Sequence, residues 1–358
     1  MKKIIALGAQ NKTSFAVRDG KKFYVSAPLE DLADIRVLKD YEAGIREHLP
    51  ADRKGPLCLV CDLHPDYGST RLAESFRGEI EGARLVKVQH HFAHVVSCME
   101  DNGLEEKVVG VSFDGTGYGT DERAWGGEFL VCDRKDFSRE YHFKYVPQPG
   151  GDIAARQGWR MAVSYLVKAY GSDMARIRTP LFDRIGPEKV SFIREMIDKD
   201  INCPLTSSAG RLFDAVSSIA GIRDSSSYEA EAAIELEKAA FPGIEGSYNY
   251  DLSGNEIDVF PMVREISRDL ERGLSPGEVS ARFHNTMGEI VYRVSEGISR
   301  RTGVRKVVVS GGCFQNKYLL EYVKKRFEGS GLELFTHKRY SPTDLGISVG
   351  QAVIAASM

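Results

Sequence analysis

One motif occurs twice in this chain of 358 residues, and such a repeat leaves few folds open. In its first copy residues 3–8 form an apolar run suited to a buried strand, 13–17 a second strand and 22–27 a third, with Asp19-Gly20 as the hairpin turn between the last two. In its second copy residues 107–113 form a buried strand that ends in Asp114-Gly115-Thr116-Gly117, and residues 127–132 return as its hairpin partner. Strands and helices alternate behind the first copy. Residues 57–63 read as a strand before a helix at 67–76, and 85–89 as a strand before a helix at about 91–101 that stops near Gly103. Alternation of this kind builds α/β lobes with covered sheets.

The strongest helix signal lies at 276–301. Ser275 can cap it, Pro276 takes its first position, and Glu278 completes a capping box. Val279, Phe283, Met287, Ile290, Val291, Val294 and Ile298 share one face at helical spacing, which reads as core. An apolar strand at 306–309 then runs through Ser310 into Gly311-Gly312 and a helix at 317–327, a junction where backbone amides can approach a phosphate. Two hairpin-type lobes with a late Gly-Gly turn are the pattern of the actin, Hsp70 and sugar-kinase superfamily, in which a nucleotide lies between duplicated lobes. The expected architecture is therefore α/β and actin-like. One lobe spans 1–106 and a second 107–340, while a C-terminal helix within 341–358 returns to the first lobe. No low-complexity tract or flexible linker separates them, so the lobes are expected to form one body.

Composition narrows the choice of class. The chain is long enough for two lobes that each bury a core. No apolar run approaches the roughly 18 residues that span a bilayer, so the sequence does not read as a membrane protein. Its start resembles a signal peptide but turns polar at Gln10 without a cleavage site, which reads as the first strand of a cytoplasmic protein. The formal net charge is −3, with 48 basic and 51 acidic residues interspersed, so a nucleic-acid partner is disfavoured. Six scattered cysteines without a secretory signal point to reduced thiols. Cys58-Leu59-Val60-Cys61 has zinc-ligand spacing, but it sits inside an apolar strand and lacks a second pair, so it reads as buried thiols.

Chemistry concentrates in Val88-Gln89-His90-His91-Phe92-Ala93-His94. His90 and His94, four apart, share a helix face and can bind one metal, whereas His91 points about 100° away. Taken alone, the trio is either a metal pair or a capped, polar helix start. Asp114, at a strand tip before glycines, is either a cleft carboxylate or a turn aspartate. Asp344, before the C-terminal helical run, is either a ligand or a first-turn residue. Together the two imidazoles and two carboxylates suit a divalent ion such as iron or zinc, with room for substrate oxygens.

These stretches resemble the HypF carbamoyltransferases. The ordered motifs are Cys61-Asp62-Leu63-His64-Pro65-Asp66-Tyr67, the histidine segment, Phe113-Asp114-Gly115-Thr116-Gly117-Tyr118-Gly119 with Trp125-Gly126-Gly127-Glu128-Phe129, Ser207-Ser208-Ala209-Gly210-Arg211-Leu212-Phe213-Asp214-Ala215-Val216, and Ser310-Gly311-Gly312-Cys313-Phe314-Gln315-Asn316. The likeness spans essentially the whole chain and matches the C-terminal transferase module of that family, itself related to tRNA threonylcarbamoyl transferases and antibiotic O-carbamoyltransferases. It implies that His90, His94, Asp114 and Asp344 hold the metal. It also implies that Gly311, Gly312 and Asn316 contact nucleotide and that Gly210 and Asp214 approach the ribose. Arg211 stands where the tRNA-modifying relatives carry glutamate, so ribose contact is assigned to Asp214 and no role to Arg211. Lys12, in the first hairpin, is either a phosphate contact or an exposed lysine.

By resemblance the substrate is carbamoyl adenylate, made from ATP, and the acceptor is the C-terminal cysteine of a HypE-like protein in [NiFe]-hydrogenase maturation. The adenylate is expected from a separate YrdC-like protein, or from the rest of a longer chain. Cys313 reads as packing. The alternatives are a tRNA threonylcarbamoyl transferase, a small-molecule O-carbamoyltransferase, and a non-enzymatic nucleotide-binding scaffold.

Overall fold

The computed structural model describes residues 3–177 and 179–358; Met1 and Lys2, at the head of the expected first strand, lie outside them. Lys3–Ala6 (β1), Ala16–Asp19 (β2) and Lys22–Val25 (β3) form an antiparallel meander. Ile35–Arg46 (α1) follows, then Leu57–Asp62 (β4), Gly68–Glu79 (α2) and Arg84–Val88 (β5). β4 pairs parallel with β1, and β5 parallel with β4, giving the order β3-β2-β1-β4-β5. His90–Asp101 (α3) leads into the second sheet, where Val108–Tyr118 (β6), Ala124–Cys132 (β7) and Phe137–Phe143 (β8) repeat the meander. Lys306–Ser310 (β9) lies parallel to β6, and Glu333–Phe335 (β10) parallel to β9. The order β8-β7-β6-β9-β10 therefore reproduces the first sheet strand for strand, direction included, and two short strands at Glu256–Asp258 and Asp251–Ser253 extend it past β8. This duplication is the actin-like architecture.

The cores follow from the two-residue period of a strand. In the first sheet Ile5, Leu57, Leu59 and Cys61 point outward under Tyr41 and Ile45 of α1 and Ala73 and Phe76 of α2. Their alternates Ile4, Ala6, Cys58 and Val60 point inward, where they meet α3 and the final helix. Beyond the second sheet, Gly158–Tyr170 (α4), Ala209–Ile219 (α5), Glu231–Ala239 (α6), Pro276–Thr302 (α7) and Lys317–Phe327 (α8) build the largest core. Ile347–Ser357 (α9) crosses α3 between the sheets so closely that a Cβ on Gly350 would run into the Ala93 carbonyl. Gln351 of α9 also brackets Gly8, accepting its N–H (2.8 Å) and donating to its C=O (3.1 Å).

Several elements match the sequence reading and several correct it. The long helix has its capping box, with Glu278 N–H donated to Ser275 Oγ and Ser275 N–H to Glu278 Oε2, and all seven residues of its apolar face are buried. Cys58 and Cys61 are buried in β4, burial pushes the Cys61 thiol up to about 12, and none of the six cysteines forms a disulfide. Among the differences, three bear on the site. The second strand begins at Ala16, not Thr13, because Gly8 and Lys12 take positive φ (61° and 43°) and loop the chain first. β6 does not stop at Phe113: it continues to Tyr118 through a register shift between Phe113 and Gly117. A 3-10 turn, Gly312–Gln315, separates the Gly-Gly pair from α8, so the glycines do not sit at that helix's N-terminus. β8 is an addition with no counterpart in the sequence reading. Among the described residues, no helix is long and apolar enough to cross a membrane.

Candidate metal centre and cleft

α3 starts where β5 ends, because the Gln89 side chain accepts the N–H of Phe92 (2.8 Å) and places His90 first in the helix. His94 follows one turn later, with the ring centroids 4.9 Å apart and both rings buried. Asp114 arrives from the middle of β6, and Asp344 from a 3-10 turn, Asp344–Gly346, just ahead of α9. Both imidazole Nε2 atoms lie 3.5 Å from Asp114 Oδ2 and 3.5 Å from Asp344 Oδ1. All four donor atoms fall within 4.8 Å of one another.

At that separation the contacts are ion pairs and not aligned hydrogen bonds. His90 Nε2 and both ring nitrogens of His94 are buried without a hydrogen-bond partner. Such orphaned donors facing two carboxylates fit a divalent cation. Four ligands at about 2.1 Å from a common tetrahedral centre stand roughly 3.4 Å apart, close to the separations found here. The electrostatics agree. Burial alone would push every group towards its neutral form, yet Asp344, Asp62 and Asp114 hold the His90 imidazole well above its ordinary value, and Asp114 and Asp344 hold His94 above it. Despite their own burial, the imidazoles keep Asp114 well below, and Asp344 below, the usual carboxylate range. Positive charge is thus favoured between the two carboxylates.

The neighbours of the cluster were only partly foreseeable. His91, held neutral by burial and by His90, receives an N–H from Gln89 Nε2 (3.1 Å) and packs by Trp125. Asp62, to which the sequence reading gave no role, takes a hydrogen bond from His90 Nδ1 (2.7 Å). Asp114 Oδ1 accepts the Gly312 N–H (3.0 Å), which joins the cluster to the Gly-Gly turn. Ser208, the cap of α5, donates to the carbonyls of Asp114 and Gly115 and so fixes the β6 bulge.

The cluster opens through Asp114 and Asp344 onto a cavity of about 380 Å³. Lys12, Gly210, Asp214, Gly312 and Asn316 line it, as do Arg211, Cys313 and, from α6, Ala233 and Ile234. Gly311 is the exception among the expected nucleotide contacts. With φ of 97° its α-carbon packs against the Phe113 backbone, so it shapes the turn without lining the cavity. Asp214 is not a free carboxylate either: Arg211 Nε donates to it (2.8 Å), giving Arg211 the holding role denied to it above. Asn316 caps α8 through Leu319 N–H and donates to His284 Nε2. Lys12, from the first lobe, pairs with Glu229 of the second across the mouth (3.2 Å). Burial pushes the Cys313 thiol well up, which keeps it protonated. Glu229 and the α6 wall carry no motif that could have marked them.

Duplicated lobes enclosing a cavity with a His/Asp cluster at its base define an actin-like α/β fold with a metal-type centre between its lobes. Two family models cover the chain: the HypF Kae1-like domain matches residues 1–101, and the carbamoyltransferase, Kae1-like domain, second subdomain, matches residues 110–351. The chain belongs to the HypF carbamoyltransferase family. It is 30% identical over 382 residues to carbamoyltransferase HypF2 of Cupriavidus necator, covering 98% of this chain and 46% of that protein. A carbamoyltransferase HypF homolog of the same organism is 31% identical, covering 99% of this chain and 91% of that one. A crystal structure of full-length HypF in the phosphate- and nucleotide-bound form superposes with a TM-score of 0.90 at 35% identity, over 99% of this chain and 46% of that chain. The chain thus spans about half the length of most curated relatives it matches. A tRNA N6-adenosine threonylcarbamoyltransferase of Bacillus licheniformis is more distant, at 27% identity over 34% of this chain and 37% of that one.

Proposed function

We propose that this chain transfers a carbamoyl group from carbamoyl adenylate to a protein thiol, the C-terminal cysteine of a HypE-like partner in [NiFe]-hydrogenase maturation. One observation carries the reading: four metal-type donors within 4.8 Å open onto the same cavity as the Gly-Gly turn, so an activated nucleotide and a polarising charge can meet. Membership of the HypF family, and a relative solved with phosphate and nucleotide, support nucleotide in that cavity. Lys12 faces the phosphate, and Gly210 and the Arg211–Asp214 pair face the ribose side. A divalent ion, iron or zinc, held by His90, His94, Asp114 and Asp344 would supply Lewis-acid charge beside the carbonyl. The acceptor thiolate attacks the carbamoyl carbon, the C–O bond to the phosphate breaks, and AMP leaves with the electron pair. Cys313 lines the cavity but is held as a thiol, which leaves the nucleophile to the partner. The adenylate itself is supplied by a YrdC-like protein or domain.

The test is to purify the chain without chelators, measure bound metal, and assay His90→Ala and Asp344→Ala with carbamoyl adenylate and a HypE-like acceptor. Near-stoichiometric metal and thiocarboxamide formation, both lost in the variants, are the expected result. Metal without transfer in the parent protein would overturn the acceptor assignment and turn the search to tRNA or small alcohols. Nucleotide binding without metal or transfer would favour a scaffold.

A further inference from the structure

β4 and β5 run parallel in a register that sets Asp62, the last residue of β4, beside Val88, the last of β5. His90 follows two residues later, so the sheet brings its ring against the Asp62 carboxylate. The contact is short, Nδ1 to Oδ2 at 2.7 Å, and both side chains are fully buried. A carboxylate accepts, so Nδ1 carries the proton of this pair, and Nε2, which faces Asp114 and Asp344, is the nitrogen left to give its lone pair to a metal that displaces its own proton. Asp62 is itself fixed. Its Oδ1 accepts the His64 N–H (3.0 Å), and its carbonyl accepts Thr70 Oγ1 (3.3 Å). His94 offers the contrast: its Nδ1 has no hydrogen-bond partner, so nothing behind the ring fixes it as Asp62 fixes His90.

We propose that Asp62 is a positioning residue for the metal centre, fixing the tautomer and ring plane of His90 so that His90 is the preset ligand and His94 the adaptable one. The inference rests on the metal reading above and goes beyond it, since it assigns the first lobe's strand β4 a part in holding the ion. A carboxylate behind a ligating imidazole orients the ring and raises its basicity, and losing one typically costs 10–100-fold in metal affinity.

The probe is Zn²⁺ in competition with a chromophoric chelator. Asp62→Asn should weaken zinc binding by about 10–100-fold, whereas Ser275→Ala, which loosens a distant helix cap, should lower the melting temperature and leave zinc affinity unchanged. Long-range ¹H–¹⁵N spectra of the zinc-loaded wild type should show His90 bound through Nε2, with a downfield, slowly exchanging proton on Nδ1. Unchanged affinity in a folded Asp62→Asn protein overturns the role of Asp62 and leaves the carbamoyl-transfer reading standing. Should that variant not fold, the spectrum decides: metal on Nδ1, or a freely exchanging Nδ1 proton, overturns the proposal. A wild type that takes up no zinc or iron overturns the metal reading and the role of Asp62 with it.

Discussion

His284 of α7 is held by burial at about 4, against an ordinary 6.5. Its Nδ1–H donates to the Ser280 carbonyl (2.7 Å) and its Nε2 accepts from Asn316, an arrangement only the neutral ring can make. The unfolded chain takes up the proton near 6.5, before the folded one does. Stability is therefore complete above about pH 6.5 and drains away as pH falls towards 4, by up to about 3 kcal/mol. Calorimetry from pH 7 to 4.5 should show a melting temperature that drops less steeply in His284→Gln; an unchanged slope would remove His284 as the cause. Glu128 is a buried carboxyl. It accepts from Arg139 Nε (2.7 Å), Ser207 Oγ (2.6 Å) and the N–H groups of Gly126 and Gly127. Glu128→Gln leaves Arg139, stacked over Trp125, with Asp121 as its remaining carboxylate partner and should lower unfolding free energy by about 2 kcal/mol in urea titrations.

α7 was legible because a capping box, a first-position proline and an unbroken 3.6-residue apolar period agree. Ser275→Ala should cost about 1 kcal/mol there. β8 was hidden for the opposite reason. Its Arg139 reads as a surface residue, and only the Glu128 pair across the hairpin shows why it can turn inward. The continuation of β6 was hidden too, since Asp114-Gly115-Thr116-Gly117 has the chemistry of a turn and becomes strand only because β7 stays paired at Gly117 and Tyr118. Between α3 and α9 the backbones nearly touch, so Gly350→Val has nowhere to put its side chain. It should yield insoluble or molten protein, against a soluble, slightly stabilised Gly297→Ala control on α7, where a Cβ meets open space.

Across the molecule, the Lys12–Glu229 pair joins the lobes at the cavity mouth, half exposed on both sides and worth little to stability by itself. Its interest is competition. Lys12→Ala should weaken AMP binding several-fold at low salt, and Glu229→Ala, by freeing Lys12, should strengthen it; calorimetric titrations in which both variants weaken binding would instead put Glu229 in contact with the nucleotide. How much of the site could be read beforehand depended on distance along the chain. His90 and His94 announce themselves by spacing, but Asp114 and Asp344 are ordinary turn aspartates until the resemblance is invoked. Asp62 looks like any acidic residue closing a strand, because nothing in a linear sequence records which strand ends lie side by side. The placement of α9 has one more consequence. Its Ile347, Ala352, Val353 and Ile354 complete the apolar layer beneath Ile4, Ala6 and Val60. On a ribosome, therefore, the first sheet emerges with its inner layer covered by α3 at most, and the layer is completed only after the whole second sheet has been synthesised. In the interval before α9 is made, a chaperone would find part of that apolar face exposed.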